Sequence, residues 1–223
     1  MPEARSQTVG FLGGTGPLGR GLALRLAVSG VDVLLGSRDQ SRAQEIAAAL
    51  TGQLPPGSGV ATGASNRDVL ELCGLVMITV PYEAMAATIE DLRAEAAGRI
   101  LVSTAVPMEF LGGVPHPITT GFGSAAEQVA TLCPESLVVG AFHTVAAGQL
   151  LKLGQTLDED VLLTSNDAAA KQSVQELVER IPGLRPVDAG SLGSAHFSEQ
   201  LTPLLLRLNR LHRAHTGIRI TGL

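Results

Sequence analysis

The chain has 223 residues, enough for one good-sized core or for one domain with a lobe. An apolar share of 45% with a mean hydropathy of +0.27 suits a well-buried α/β protein, while a net charge of −5 and the lack of Trp argue against nucleic acid as the main partner, which needs a basic surface and stacking rings. The sequence has neither an apolar run of 18 residues nor a basic flank before a short apolar segment and cleavage site, so a cytoplasmic protein with no membrane partner is expected.

The first apolar run, Thr8-Val9-Gly10-Phe11-Leu12, predicts a strand, and Gly14-Thr15-Gly16-Pro17-Leu18-Gly19 follows it directly. Leu18, Leu22 and Leu26 then mark an amphipathic helix that Gly30 stops. G-x-G-x-x-G between a strand and a helix is the pyrophosphate-binding turn of dinucleotide folds. Its glycines serve the tight turn, the approach of backbone to phosphate, and close helix–strand packing. The helix N-terminus adds free N–H groups and a partial positive charge.

Val31–Gly36 predicts the second strand, and its end decides which dinucleotide fits. An NAD site places Asp or Glu there to hold the ribose 2′-OH. Here stand Ser37-Arg38, with Arg42 a helical turn further on, and a hydroxyl with two guanidinium groups suits a 2′-phosphate. NADP is therefore the expected dinucleotide, although Asp39, one place past Arg38, leaves acidic selection of NAD open.

Strands and helices alternate along the remaining chain, predicting a Rossmann-type doubly wound, mainly parallel α/β sheet. The order is a helix near Ser41–Leu50, a strand at Gly59–Thr62, a helix capped by Asn66 and a buried strand at Leu75–Val80 ended by Pro81. A helical stretch over Tyr82–Ala97, a strand at Arg99–Ser103 and an aperiodic Pro/Gly-rich loop over Thr104–Gly123 come next. Ser124 to Glu127 reads as a capping box, and Leu137–Gly140 as a sixth strand. Strands near Val161–Ser165 and Arg185–Asp188 flank a helix from Asp167 to Arg180. A final helix carries Phe197, Leu201, Leu204, Leu205, Leu208 and Leu211 on one face, and at Thr202-Pro203 it either kinks or begins. Residues 1–147 thus read as the dinucleotide (NADP)-binding domain and 148–223 as a smaller C-terminal α/β cap. Cys73 and Cys133 lie in apolar settings and read as reduced, buried residues.

Ligands of an open parallel sheet bind outside the carboxyl ends of its strands. The predicted lining is Gly13–Gly19, Ser37-Arg38, Val80 to Tyr82, Ser103–Pro107 and Gly140–Ala147. Among these His143 titrates near neutrality; it reads either as a residue that orients substrate or as a satisfied structural histidine. His212 and His215 lack a third ligand, so no metal site is expected. Tyr82 is followed four places on by Ala86, which excludes a Y-x-x-x-K proton relay and favours a hydride transfer that needs no strong protein acid.

Gly13 to Ala27 with Gly36-Ser37-Arg38 resemble NADPH-dependent reductases of coenzyme F-420, an 8-hydroxy-5-deazaflavin. So do Thr79-Val80-Pro81-Tyr82-Glu83, Val106-Pro107, Ser124 to Glu127, His143 to Ala147, Gly183 to Gly190 and Leu201-Thr202-Pro203-Leu204, in one order along nearly the whole chain. The resemblance implies reversible hydride transfer between NADP(H) and the deazaflavin coenzyme F-420 as co-substrate, in a homodimer. It assigns the pyrophosphate to Thr15, Gly16, Pro17 and Leu18, between the motif glycines Gly14 and Gly19, and the 2′-phosphate to Ser37, Arg38 and Arg42. Val80, Tyr82, Val106 and Ala147 would border the nicotinamide, with His143 and Val145 near the deazaflavin, His143 acting by positioning. Pro17 stands where that family commonly has a small polar residue, Tyr82 where it often has Trp, and the segment after Gly217 departs from its usual apolar finish. The anionic tail of such a ligand calls for a cationic groove, with Lys152, Arg207, Arg210 and Arg213 as candidates. An NADPH-dependent reductase of an imine, ketone or ferric chelate, and a non-catalytic NADP-binding regulator, are the alternatives.

Overall fold

The computed structural model describes residues 8–223. β1 (Val9–Leu12) leads through the glycine loop into α1 (Pro17–Val28), and β2 (Val33–Ser37) leads into α2 (Gln40–Thr51). β3 (Ala61–Ser65), α3 (Asn66–Leu72), β4 (Leu75–Ile78), α4 (Tyr82–Asp91), α5 (Arg93–Ala96) and β5 (Ile100–Ser103) follow. A hairpin of β6 (Met108–Leu111) and β7 (Val114–Pro117) precedes α6 (Ala125–Leu132) and β8 (Leu137–Gly140). The remainder is α7 (Ala147–Leu150), β9 (Glu159–Ser165), α8 (Ala168–Glu179), β10 (Leu184–Asp188) and the long α9 (Ala195–His212).

Eight strands form one sheet in the order β10-β9-β8-β5-β4-β1-β2-β3. The six from β3 to β8 are parallel, which is the 3-2-1-4-5-6 order of a doubly wound fold. β9 runs antiparallel to β8, with Gly140 opposite Thr164, and β10 runs parallel to β9. The C-terminal part is thus built onto the edge of the same sheet. Both faces are covered, which is why the central strands read as unbroken apolar runs. Leu22, Leu26, Val174 and Val178 pack on one face and Met85, Ile89 and Val129 on the other, all fully buried. Each such side chain contributes about 1.5–3 kcal/mol by leaving water.

Local chemistry differs from expectation at four places. The cap of α3 is Ser65, whose hydroxyl accepts from the Asp68 N–H at 3.1 Å while the Asp68 carboxylate accepts from the Ser65 N–H. Asn66 is instead the first helical residue, its side chain free for other use. Ser124 does cap α6, accepting from the Glu127 N–H at 3.0 Å, but the Glu127 carboxylate takes the Ser124 hydroxyl rather than completing the box. The stretch read as an aperiodic loop contains the β6–β7 hairpin. Gly112 and Gly113 form its two-residue turn with φ of +58° and +77°, a pair of left-handed residues that glycine adopts without strain. Finally, α9 is continuous through Pro203, and its leucine stripe faces outward: Phe197, Leu204 and Leu211 are 66%, 51% and 76% exposed. Its inner side is Ala195, Ser198, Glu199, Pro203 and Leu205.

Arg25 joins the two halves of the molecule. Its side chain is buried on α1, and the guanidinium donates to the carbonyls of Leu150, Gln149, Lys152 and Gln155 at 2.7–3.1 Å. Arg25→Met keeps the aliphatic stem but strands those carbonyls. A loss of about 3 kcal/mol in urea unfolding is expected, and a loss below about 1 kcal/mol would mean that water replaces the guanidinium.

Candidate functional site

The strand order reverses between β1 and β4, and the loops after these two strands part there. A cleft of about 770 Å³ opens at that point. Thr15, Gly16, Pro17, Leu18, Ser37, Arg38, Arg42, Val80, Tyr82, Val106, His143, Val145 and Ala147 all border it. Gly14 and Gly19 are buried and do not border it. A smaller cavity of about 590 Å³ adjoins at the end of β2, between Ser37, Arg38, Arg67 and Asp91.

The glycine loop is built by close packing. A Cβ on Gly19 would lie 2.7 Å from the Gly14 Cα and 2.7 Å from the Thr79 Oγ1, so only glycine lets α1 approach the sheet this closely. The Gly14 N–H is satisfied by the Gly36 carbonyl at 2.9 Å, and the Gly13 N–H by the Asn66 Oδ1 at 3.2 Å. Gly16 is the N-cap of α1, no side chain caps that helix, and Pro17 occupies its first position, where an N–H would have no helical acceptor. The positive end of α1 therefore points into the cleft.

The end of β2 is equally ordered. The Ser37 hydroxyl accepts from the Asp39 N–H at 3.1 Å, and the Asp39 carboxylate caps α2 by accepting from the Arg42 N–H at 3.3 Å. That cap gives Asp39 a structural task. Arg38 and Arg42 border the cleft, and among the described residues neither forms an ion pair.

His143 follows β8 and is preceded by Phe142, a buried residue with φ of +61°, a strained geometry for an aromatic side chain. Thr202 of α9 donates to the His143 carbonyl at 2.8 Å, and the Ser198 hydroxyl sits 3.1 Å from the imidazole Nδ1. Burial lowers the imidazole to about 4, so the ring is neutral at physiological pH. Glu199 is buried beside it, capping α6 through the N–H groups of Ala125 and Ala126 at 2.9 and 3.2 Å, and burial pushes its carboxyl up to about 7. Tyr82, across the cleft wall, has its phenol raised by burial and then by the Glu199 charge.

The far wall was not anticipated. Met108 and Phe110 of the hairpin, Thr202, Leu205, Leu206 and Asn209 of α9, and Thr216 beyond it also border the cleft. Thr202 and Asn209, seven residues apart on a leucine-rich helix, were the one sequence signal for this inner face. Thr216 is tied to Asn209, whose Oδ1 accepts from the Thr216 N–H at 2.6 Å. The chain beyond it is fastened to buried Asp160, which accepts from Arg185 at 2.8 and 2.7 Å, from Arg219 at 2.9 Å and from the Ile220 N–H at 2.6 Å. Hydrogen bonds from Arg185 above all hold that carboxyl far below the usual range. None of Lys152, Arg207, Arg210 and Arg213 borders the cleft. Arg207 and Arg210 donate to the Pro115 and Gly113 carbonyls at 3.2 and 3.1 Å and so staple the hairpin to α9. Among the described residues no group of three His, Cys, Asp or Glu side chains could hold a metal ion.

An open doubly wound sheet with a phosphate-type turn at its switch point, and at the second strand end cations without an ion pair among the described residues, defines a dinucleotide-binding protein of the Rossmann class. Comparisons with known proteins narrow the class. The family model described as NADP oxidoreductase, coenzyme F420-dependent, matches residues 8–107. An F420-dependent NADP reductase of Methanothermobacter thermautotrophicus is 35% identical over all of this chain and 98% of its own length, and one of Methanocaldococcus jannaschii is 38% identical over 96% and 98%. A crystal structure from an Arthrobacter species, provisionally described as an F420-dependent NADP reductase, superposes with a TM-score of 0.78 at 29% identity, covering 96% of this chain and 98% of that one. The chain belongs to the F420-dependent NADP reductase family.

Proposed function

We propose that this protein transfers a hydride reversibly between NADP(H) and the deazaflavin coenzyme F-420. Support comes first from family membership along the full length of two curated relatives. The observation that carries it in this chain is the chemistry of the donor set. The uncapped N-terminus of α1 and the guanidinium groups of Arg38 and Arg42, without an ion pair among the described residues, offer positive charge to a pyrophosphate and a 2′-phosphate respectively. When both coenzymes are bound, one supplies the hydride and the other accepts it, carbon to carbon. The protein's task is then to bring two rings to about 3–3.5 Å and exclude water. Val80, Val106, Val145 and Ala147 supply apolar walls for that stack, and His143 holds its place in the lining without titrating.

On this reading residues 1–147 are the dinucleotide-binding domain, residues 1–7 lying outside the described part, and 148–223 are the smaller cap. The reversal of strand direction from β8 to β9 supports the division. A homodimer is part of the proposal. The stripe of exposed Phe197, Leu204 and Leu211 with half-buried Leu201 and Leu208 between them, spaced four and three residues apart, supports it as a seam for a second copy. A cytoplasmic location belongs to it as well, supported by two buried, unpaired cysteines. Among the described residues no helix is long and apolar enough to cross a membrane.

The test is direct. Mixing the protein with NADPH and oxidised coenzyme F-420 should bleach the deazaflavin absorbance, and NADP+ with the reduced deazaflavin should restore it. Binding of NADPH with no bleaching would leave a regulator. Bleaching of NADPH only with an imine, ketone or ferric chelate would favour another reductase on the same scaffold.

A further inference from the structure

His143 and Glu199 are buried together, with side chains 1% and 3% exposed and 3.9 Å between Nε2 and Oε1. Where the Ser198 hydroxyl donates to the Ala195 carbonyl at 2.9 Å it accepts from the ring at 3.1 Å, and in that arrangement the neutral imidazole carries its proton on Nδ1. Nε2 is then a buried lone pair, with no hydrogen-bond partner among the described residues. Each Glu199 oxygen already takes one N–H from the first turn of α6. An ionised Glu199 would set a carboxylate against that lone pair in a low-dielectric interior, whereas a protonated Oε1 presents a donor to it.

We propose that Glu199 is a positioning residue for the acceptor end of the cleft, acting through His143, with which it holds a single mobile proton. The inference rests on the hydride-transfer reading. The pair links three elements, since Glu199 lies on α9, caps α6, and faces the strained Phe142-His143 corner after β8. Other groups that face the pair are Glu127 on α6, His196 on α9, Tyr82 on α4 and the backbone at Ser103. Burial raises Glu199 to about 7 and lowers His143 to about 4, so the proton resides on Glu199 and leaves near neutrality. The imidazole Nε2 therefore faces a donor at pH 6 and a bare carboxylate at pH 8, while Thr202 and Ser198 hold the corner at both.

Single-turnover hydride transfer from saturating NADPH to coenzyme F-420, from pH 5.5 to 8.5, tests the idea in the full-length protein. Titration of the deazaflavin itself cancels when wild type is compared with Glu199→Gln, whose amide N–H donates at every pH and whose loss of the acceptor for the Ala126 N–H is the same at every pH. The wild-type rate divided by the Gln rate should fall about tenfold between pH 6 and 8, with KM for NADPH within twofold. Glu199→Ala, which has no donor, should be slow throughout. A flat ratio overturns the proposal. In protein free of coenzymes, the ¹⁵N shift of the His143 Nε2 should inflect near pH 7 in wild type and not in Glu199→Gln. No inflection in wild type overturns the shared proton whatever the turnover. An inflection without any deazaflavin turnover overturns the hydride reading alone.

Discussion

Arg38→Ala is expected to weaken NADPH binding about 10- to 100-fold while changing NADH binding less than threefold. A charge-assisted hydrogen bond to a phosphate contributes about 1.5–3 kcal/mol, and each 1.4 kcal/mol is tenfold in affinity. Arg38 is exposed at the mouth of the cleft with no carboxylate partner among the described residues, so the wild-type side chain has no competing ion pair to lose. The carboxylate that would select NAD, Asp39, is occupied at the N-terminus of α2. Removing Arg42 as well should deepen the NADPH defect and flatten its salt dependence. Dissociation constants for both coenzymes decide the matter, and equal losses for NADPH and NADH would remove the 2′-phosphate from this strand end.

Gly16→Val should cost more, at least 100-fold in affinity for either dinucleotide, in a protein that remains folded. The position has an ordinary φ of −73°, and a Cβ there would meet only the Gly13 and Thr79 carbonyls at 3.5 and 4.0 Å. Valine is therefore accommodated by the fold, but its methyl groups stand in front of the N-terminus of α1, where an anion needs bare backbone. Calorimetry with a parallel thermal melt separates the two effects. Near-normal NADPH affinity in the folded variant would take this loop out of the site.

Much of the architecture was legible because it is local. Unbroken runs such as Leu75–Ile78 exist only where both faces of a strand are covered, and the Ser124 cap of α6 needs a hydroxyl three residues from the N–H it accepts. The glycine loop, the Ser37-Arg38 strand end and the segments after β4 and β8 were legible for a similar reason. A parallel sheet sends every strand's carboxyl end to one edge, so order along the chain predicts proximity in space. Gly112-Gly113 carried the hairpin signal, but Pro115 and Pro117 in β7 hid the alternation that would have completed it.

The sequence of this protein therefore determined its alternating elements, its glycine turn and the guanidinium pair proposed to meet a phosphate, since each depends on neighbours within a few residues. Tertiary structure alone decided which side of α9 turns inward. The helix has two usable faces, and Phe197, Leu204 and Leu211 look outward while Leu205 turns in, because Ser198, Glu199 and Thr202 find hydrogen-bond partners on α6 and after β8 that water would otherwise supply. The same holds for Asn66 on the Gly13 N–H, for Arg25 among four carbonyls and for the direction of β9. Those contacts join residues far apart in the chain, and burial, which sets their strength, is a property of the folded whole.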